Sequence, residues 1–271
     1  MTATGNIGNF TTVDRAPDAS WFIDFMDAAN AQPEYRDINH DLAAALGDLA
    51  GKTVLEVGCG TGDDAREVAA LVGPTGKVVG TDLSETMVDE ARKRSVGLDL
   101  PIDFCIADLA GLDFPDGTFD GAWAKLVLMH CVDIETALDE LVRVLRPGGR
   151  IAVFDIDFDT TIVDHPDVAA TREVLRCYSD GPRNNWSGRQ LYRRMKKRNL
   201  ADVTVSPTTV VMSFDFFHTL LAGQLKSAQE SGRLALTDSQ LSDWWLPLSA
   251  AHDEGQFFSS FTGFAVGATK P

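Results

Sequence analysis

Short runs of apolar residues alternate along the chain with segments whose apolar residues recur at helical spacing. Five runs rich in Val, Ile, Leu and Phe predict strands, over 53–57, 77–82, 102–106, 119–125 and 150–155. The clearest helical segment has apolar residues at i, i+4, i+7, i+8 and i+11, which are Ile134, Leu138, Leu141, Val142 and Leu145. An Arg-Pro-Gly-Gly sequence at 146–149 ends this helix, and a strand follows directly. Such alternation is typical of a parallel sheet with helices on both faces.

Beyond residue 155 the pattern changes from regular alternation to longer helical stretches. Residues 156–200 and 214–252 have mostly helical patterns, whereas 202–211 and 261–268 have the β-branched and aromatic character of strands. We therefore expect an α/β fold, doubly wound, with a mostly parallel seven-stranded sheet and a helical cap.

The first 50 residues precede the sheet and predict helices near 20–30 and 37–46. We expect 1–50 to form an N-terminal helical cap segment. The main α/β domain would then cover 51–271, with helical inserts at about 156–200 and 214–252.

Composition and charge restrict the class of protein. The chain carries 40 acidic and 24 basic side chains, a formal net charge of −16, which disfavours binding to nucleic acid. No apolar run approaches the roughly 20 residues of a membrane helix, and residues 1–10 do not resemble a secretion signal. The four cysteines lack CxxC spacing, which argues for reduced thiols and against a zinc knuckle. We expect a cytoplasmic protein without a metal site. A basic run over 183–198 is interpreted as one solvated helix face.

The candidate chemistry begins at a glycine-rich turn after the first strand. Glycines at positions 58, 60 and 62 allow positive φ and let a ligand lie against the backbone. A helix begins directly after the turn, so that backbone amides would face the ligand. Twenty residues after Gly62, Asp82 ends the second strand, where a carboxylate can accept both hydroxyls of a ribose. The sequence therefore predicts a nucleotide-type cofactor.

Two classes of cofactor share this arrangement. Dinucleotide enzymes use GxGxxG, which would place a small residue at Asp63. Carboxylates at Glu56, Asp63 and Asp64 would repel a pyrophosphate but tolerate a sulfonium and an ammonium, although acidic residues at a helix start can also simply complement its dipole. This favours S-adenosylmethionine over NAD.

An ordered set of motifs over residues 50–157 resembles the class I S-adenosylmethionine-dependent methyltransferases, which have a Rossmann-like sheet. The motifs are Glu56-Val57-Gly58-Cys59-Gly60-Thr61-Gly62, Asp82-Leu83-Ser84 with Met87, Ala107-Asp108-Leu109, Phe114-Pro115, Phe119-Asp120 and Arg143-Val144-Leu145-Arg146-Pro147-Gly148-Gly149-Arg150. The pattern is similar to the small-molecule branch that includes ubiquinone, menaquinone and natural-product methyltransferases. The resemblance implies a last strand that enters the sheet antiparallel.

The resemblance also implies a cofactor site. Its expected contacts are Gly58, Cys59, Gly60 and Gly62 around the methionine part, Asp82 on the ribose, Leu83 and Met87 on the adenine, and Asp108 with Leu109 at the adenine amino group. Glu56 would steady the turn or the methionine ammonium. Lys125 departs from the family, which more often has a small or neutral residue there. We expect Lys125 to lie at the cofactor site and to pair with Asp63 or Glu56.

Methyl transfer is an in-line displacement that depends mainly on alignment, and a general base helps only some acceptors. His130 and Asp155 are the candidate catalytic residues because each follows or ends a strand at the expected crevice; Asp157 and His165 are weaker candidates. Aromatic side chains in the N-terminal segment and in the insert at 214–252 suit a flat, apolar acceptor.

The predicted function is thus methylation on O, N or C of a small, apolar or aromatic metabolite. The partner would be this small-molecule acceptor, with neither a nucleic acid nor a membrane, and a homodimer is left open. One alternative is a protein that binds S-adenosylmethionine for a non-methylating reaction or for regulation. An NAD-dependent oxidoreductase is the less favoured alternative.

Overall fold

The computed structural model describes residues 6–271, which form one seven-stranded sheet with helices around it. The strands are β1 (Thr53–Val57), β2 (Lys77–Asp82), β3 (Ile102–Ile106), β4 (Phe119–Lys125), β5 (Leu145–Val163), β6 (Ala201–Val211) and β7 (Ser259–Thr269). The α-helices are α1 (Ser20–Asn30), α2 (Pro33–Leu46), α3 (Asp63–Val72), α4 (Glu85–Ser95), α5 (Ile134–Val144), α6 (Val168–Ser179), α7 (Ser187–Lys197), α8 (Phe214–Glu230) and α9 (Asp238–Asp253). Two 3-10 segments cover Ile7–Arg15 and Leu128–His130. Within this described part, every helix is too short or too polar to cross a membrane.

The strand order is β3-β2-β1-β4-β5-β7-β6, with β1 to β5 parallel and β7 antiparallel to both of its neighbours. This confirms the doubly wound, mostly parallel sheet and the antiparallel last strand. In the register, Val57 lies opposite Thr81 on one side and Ala124 on the other. The next residues, Gly58, Asp82 and Lys125, therefore meet at one edge of the sheet. The order of the strands reverses between β1 and β4, and open α/β sheets bind their ligands at the carboxyl ends of the strands beside such a point.

Helices cover both faces of the sheet, as the continuous apolar strands predict. Val54 of β1 belongs to a core with α2, α3 and α4, whereas its neighbour Leu55 belongs to a second core with α5 and α7. Both side chains are fully buried. Successive side chains on a strand point to opposite faces, so both faces of β1 must be apolar.

The predicted bounds of the first four strands agree with the structure, but the helical insert at about 156–200 is partly wrong. Strand β5 already begins at Leu145 and continues to Val163, and its later residues pair with β7. The extension depends on this long-range pairing, which no local pattern shows. Helix α7 is not a peripheral insert either, because it buries Leu191 and Met195 against the sheet.

The N-terminal segment is divided between two roles. Residues 1–5 of the predicted cap lie outside the described residues. The 3-10 segment Ile7–Arg15 and helix α1 lie over the ligand edge of the sheet. Helix α2 instead packs on β5, β6 and β7 and buries Ile38 and Leu42, so it belongs to the core.

Several basic side chains of α7, and that of Arg198, which follows it, form ion pairs with other elements. They are therefore not simply a solvated helix face. Arg189 pairs with Asp157 of β5, and Arg194 pairs with Glu135 of α5. Arg198 pairs with the same Glu135 and with Asp139. These pairs fasten α7 to its neighbours, and the sequence pattern alone did not show their acidic partners.

The close approach of β5 and β7 generates a prediction for stability. A Cβ added at Gly263 would lie 2.2 Å from Cζ of the fully buried Phe154. Gly263→Ala should lower the free energy of unfolding by about 1–3 kcal/mol, because a packed core must shift to admit the methyl group. Urea denaturation measures this difference.

The matched control is Gly111→Ala, since a Cβ at Gly111 meets nothing within 4 Å. Its free energy of unfolding should match that of the unsubstituted protein. Equal stability of both variants would contradict the tight packing at Gly263.

Candidate functional site

A cavity of about 620 Å³ lies at the carboxyl edge of β1, β2 and β4, beneath the 3-10 segment and α1. Among the predicted cofactor contacts, those that line it are Gly58, Cys59, Gly60, Asp82, Leu83, Met87, Asp108, Leu109 and Lys125. His130 lines it as well, whereas Glu56, Gly62 and Asp155 do not. The volume is typical of a small-molecule site.

The glycine turn presents bare backbone to this cavity. Gly58 and Gly60 have φ values of 65° and 49°, in the left-handed region. A Cβ at Gly58 would lie 2.3 Å from Cγ2 of Val127, and one at Gly60 would lie 2.1 Å from Cε of Met26. The turn therefore has no room for side chains, and its backbone is available to a ligand.

Gly62 has a different role from the predicted one. It has φ of 77° at the start of α3 but lies outside the cavity lining. A Cβ here would lie 2.9 Å from both Cβ of Ala91 and Cζ of Phe104. Gly62 is thus required by packing between α3, α4 and β3, and the expected cofactor contact is corrected.

Asp82 connects the glycine turn to the second strand. Its Oδ2 accepts the N–H of Gly60 at 2.9 Å, and its Oδ1 accepts the N–H of Ser84 at 2.9 Å. Burial raises the pKa of Asp82, and these backbone hydrogen bonds act in the opposite direction. A carboxylate has about four acceptor positions, so Asp82 keeps acceptor capacity for a hydroxyl of a ribose.

The predicted adenine contacts follow the ends of β2 and β3 and line the same cavity as Asp82. Leu83 is half exposed, whereas Met87 is buried and also packs with Val13 and Phe22. Met87 is therefore both a core residue and part of the cavity wall. Asp108 accepts the N–H of Ala110 through Oδ1 at 2.8 Å, which leaves its other oxygen for a ligand.

Glu56 lies beneath the turn rather than in the cavity wall, which corrects its predicted contact with the cofactor. The side chain is 2% exposed, and its Oε2 has no hydrogen-bond partner among residues 6–271. Burial raises the pKa of Glu56, and the nearby Asp64 carboxylate raises it further, against the opposing charge of Lys125.

Lys125 forms a buried ion pair with Asp64, not with the predicted Asp63 or Glu56. Its Nζ lies 2.7 Å from Oδ1 of Asp64 and 2.9 Å from Oδ1 of Asn39, on α2. Asp63 instead accepts from Arg66 and from the hydroxyl of Thr61, both at 2.6 Å. Both acidic residues at the start of α3 are therefore compensated by protein groups. We missed Asn39 in the sequence because it lies far away along the chain and matches no motif.

His130 is the predicted catalytic residue that reaches the cavity. It ends the 3-10 segment after β4, and its ring centroid lies 5.6 Å from that of Phe10. Desolvation lowers the pKa of His130 to about 4. The imidazole is therefore neutral near pH 7 and can accept a hydrogen bond from a bound molecule.

Asp155 does not face the cavity, contrary to the expectation. It is fully buried, and its carboxylate accepts from the hydroxyl of Ser187 on α7. Burial raises the pKa of Asp155 to about 7, opposed first by Ser187 and then by the backbone N–H groups of Met129 and Val127. Asp155 thus lies behind the loop that carries His130.

The two weaker candidate bases are also engaged elsewhere. Asp157 pairs with Arg189. The ring of His165 lies 2.9 Å from the carbonyl oxygen of Trp244 through Nε2, and its Nδ1 accepts the N–H of Asp167 at 2.9 Å. Both ring nitrogens are therefore occupied.

The cover of the cavity comes from the N-terminal segment. Phe10, Phe25 and Tyr35 line the cavity, as expected for an apolar acceptor. Asp14 attaches this cover to the start of α4, because its carboxylate accepts from the hydroxyl of Ser84 at 2.6 Å and from two backbone N–H groups. No local pattern around Asp14 predicts this contact.

The second group of predicted acceptor contacts is wrong. The aromatic side chains of α8 and α9 lie outside the cavity lining and pack against one another. Phe216 alone comes close, stacked on Phe25 with a centroid distance of 6.1 Å. These aromatics form the core of the cap, which supports the cavity wall from outside.

The environment of Asp155 generates a prediction for pH dependence. The pKa of about 7 in the folded state is above the ordinary 3.8, so the folded state binds more protons between these values. The free energy of unfolding, relative to that of Asp155→Asn, should therefore fall as pH rises from about 5 to 8. Urea denaturation across this range measures it, and a difference that stays constant with pH would contradict the assigned environment.

The comparisons with known proteins agree with this geometry. A methyltransferase-domain family profile matches residues 54–149. An uncharacterized 37.1 kDa protein in transposon TN4556 of Streptomyces fradiae is 34% identical over 255 residues, which cover 92% of this chain and 71% of that protein. The ubiquinone/menaquinone biosynthesis C-methyltransferase UbiE of Pseudomonas fluorescens is 40% identical over 116 residues, or 42% of this chain and 45% of UbiE. The chain thus covers only about half of the length of its named methyltransferase relatives.

A solved structure extends the agreement in fold over nearly the whole chain. A SAM-dependent methyltransferase from Aquifex aeolicus superposes with a TM-score of 0.51 at 16% identity, covering 96% of this chain and 98% of that one.

The residues present fit S-adenosylmethionine, since one cavity offers it bare glycine backbone at Gly58 and Gly60 and the carboxylate of Asp82. With the matched profile and relatives, this shows that the chain belongs to the class I S-adenosylmethionine-dependent methyltransferases.

Proposed function

We propose that the protein transfers a methyl group to an oxygen, nitrogen or carbon atom of a small, uncharged, apolar or aromatic molecule. The observation that carries this proposal is one cavity in which the bare backbone of Gly58 and Gly60 and the carboxylate of Asp82 adjoin an aromatic wall. Named relatives that are methyltransferases support transfer over the alternative of non-methylating or regulatory binding.

The chain's own groups would act mainly by alignment. S-adenosylmethionine, when bound, supplies a methyl group on a sulfonium. The backbone at Gly58 and Gly60 would hold the sulfonium end, and Asp82 would orient the ribose. The cover that Asp14 attaches to α4 would exclude water from the cavity. Positioning of this kind accounts for effective molarities of about 10⁵–10⁸ M.

The charge of the cavity wall supports an uncharged acceptor. Among the described lining residues, Lys125 is the one Lys or Arg, and it lies beside Gly58, at the end of the cavity where the cofactor would bind. An acceptor with a phosphate or a free carboxylate would therefore lack a countercharge, and burying an unpaired charge is costly. Aromatic side chains at Phe10, Phe25 and Tyr35 offer an apolar surface instead.

His130 is the group that we propose to contact the reacting atom of the acceptor. Its neutral imidazole lines the cavity and can accept a hydrogen bond from a hydroxyl or amine of the acceptor, which would orient the reacting atom. Asp155 would act only through the loop, as a positioning residue.

We also propose that the acceptor is a small molecule rather than a nucleic acid, since the basic side chains of Arg189, Arg194 and Arg198 are paired with acidic groups of the chain. The proposed location is the cytoplasm, where the four free thiols would stay reduced.

Product analysis tests the proposed activity. The protein is incubated with S-adenosylmethionine and a panel of apolar phenols, hydroxyketones and amines, and S-adenosylhomocysteine is quantified with the methylated product. Equal amounts of both products are expected for at least one acceptor. Tight cofactor binding without turnover of any panel member would favour the non-methylating alternative.

A substitution at Asp82 tests the cofactor assignment. Asp82→Asn should weaken binding of S-adenosylhomocysteine about 10- to 100-fold, because hydrogen bonds to a charged group are lost. Isothermal titration calorimetry measures the dissociation constant, and circular dichroism checks the fold. Asp103→Asn, at an exposed carboxylate on β3, is the matched control. Unchanged affinity in folded Asp82→Asn would contradict the ribose contact.

A substitution at His130 tests the contact with the acceptor. His130→Phe should lower kcat/KM for a hydroxyl acceptor by about 10-fold, because a hydrogen bond that orients the acceptor is lost, and should leave cofactor affinity unchanged. Because the pKa of His130 is about 4, kcat/KM of the unsubstituted enzyme should not fall through His130 protonation at pH 5 or above. Full activity of His130→Phe would remove His130 from the mechanism.

A further inference from the structure

The cavity contains one buried cation whose role the methyl transfer does not explain. Lys125 ends β4, and the register of β1 with β4 places it beside Gly58. Its side chain is 7% exposed, yet it lines the cavity. A lysine at this depth loses most of its hydration, so that its retention requires specific partners.

The structure supplies two partners and leaves one donor. A lysine ammonium has three N–H donors. Asp64 and Asn39 accept two of them, at 2.7 and 2.9 Å. Within residues 6–271 no further acceptor contacts the ammonium; the nearest aromatic ring is that of Tyr35, 5.3 Å from Nζ to the ring centroid. Tyr35 and Lys125 both line the cavity, so the ammonium lies close to the cavity wall.

Asn39 and Asp64 hold the ammonium in place from two different helices. The amide Nδ2 of Asn39 donates to Oδ1 of Asp64 at 3.0 Å and to Oε2 of Glu67 at 2.7 Å. Oδ1 of Asp64 is thereby fixed by a second hydrogen bond. Oδ1 of Asn39 is fixed because it belongs to the same amide group. The arrangement connects α2, α3 and β4 and leaves Lys125 little freedom to turn away.

We propose that Lys125, held by Asp64 and Asn39, receives the α-carboxylate of S-adenosylmethionine and selects for a cofactor with an intact amino-acid end. This rests on the proposed function, which places the sulfonium end at Gly58 and Gly60. The carboxylate of that end needs a cationic partner in a largely desolvated cavity, and Lys125 is the one Lys or Arg in the described lining. The other charged side chains of the described lining are carboxylates, so they could not serve.

The proposal distinguishes three ligands that share the adenosine part. S-Adenosylmethionine carries both the carboxylate and the ammonium of methionine. Decarboxylated S-adenosylmethionine keeps the sulfonium and the ammonium, and 5′-methylthioadenosine lacks the whole amino-acid end. Only S-adenosylmethionine should bind more tightly because of Lys125, since it alone carries the carboxylate.

The test is isothermal titration calorimetry of the whole 271-residue chain with each of these three ligands. The unsubstituted protein should bind S-adenosylmethionine about 10- to 100-fold more tightly than the decarboxylated form. In Lys125→Met this preference should disappear, with the affinity for 5′-methylthioadenosine unchanged. Lys125→Arg should restore part of the preference, since a guanidinium also pairs with a carboxylate. Lys77→Met, which removes an exposed lysine of β2, is the matched control.

Removal of Lys125 alone leaves Asp64 buried without its partner and can destabilise the fold. The double variant Lys125→Met, Asp64→Asn removes both charges and keeps an amide at position 64. It should show the same loss of preference in a protein that remains folded by circular dichroism.

Two results would overturn the proposal. One is equal affinity of the unsubstituted protein for S-adenosylmethionine and its decarboxylated form. The other is an equal loss of affinity for all three ligands in the double variant, which would indicate a purely structural role. Failure of the unsubstituted protein to bind any of the three would instead remove the proposed function, and this inference with it.

Discussion

The site depends on the close approach of the backbone at Gly58 and Gly60 to the side chains of Val127 and Met26. A methyl group at either glycine would occupy the same space as one of these side chains. The bare turn therefore allows the loop after β4 and the helical cover to close down on the end of β1. The cavity exists between these parts, and its wall is peptide backbone on one side and apolar side chains on the other.

Polar contacts distant in sequence then hold each wall of the cavity. Asp155 and Asn184 support the loop after β4 from behind, the latter by donating to the carbonyl oxygen of Cys131 at 2.7 Å. Asp14 attaches the cover to α4, and Lys125 connects the end of β4 to α2 and α3. Leu126, beside Lys125, has φ of 61°, a conformation rare for a branched side chain. The surrounding contacts maintain this conformation in the cavity wall.

The comparison of Asp82 with Lys125 illustrates how much of the site could be predicted. The position of Asp82 at the cavity could be predicted, because a strand end and a glycine turn at fixed spacing define it; the ribose contact stays a prediction. The predicted partner of Lys125, Asp63 or Glu56, is wrong. Three carboxylates, Glu56, Asp63 and Asp64, lie close to the end of β1, and the sequence does not show which of them meets the ammonium. Tertiary contacts decide among them, because Asp63 accepts from Thr61 and Arg66 whereas Asp64 faces Lys125. The aromatics of α8 and α9 were misplaced for a similar reason, because composition does not show which face of a helix meets the cavity.

The sequence alone determined the strands β1 to β4, the alternation of strands and helices along residues 53–155, the glycine turn and, together with the family resemblance, the class of cofactor. These follow from local periodicity and spacing, which act over a few residues. Tertiary structure decided the extension of β5, the burial of Glu56 and Asp155, and the pairing of Lys125 with Asp64. Each of these depends on contacts between residues far apart along the chain. The free energy of a buried charge depends on the groups that surround it, and only tertiary packing decides which groups these are.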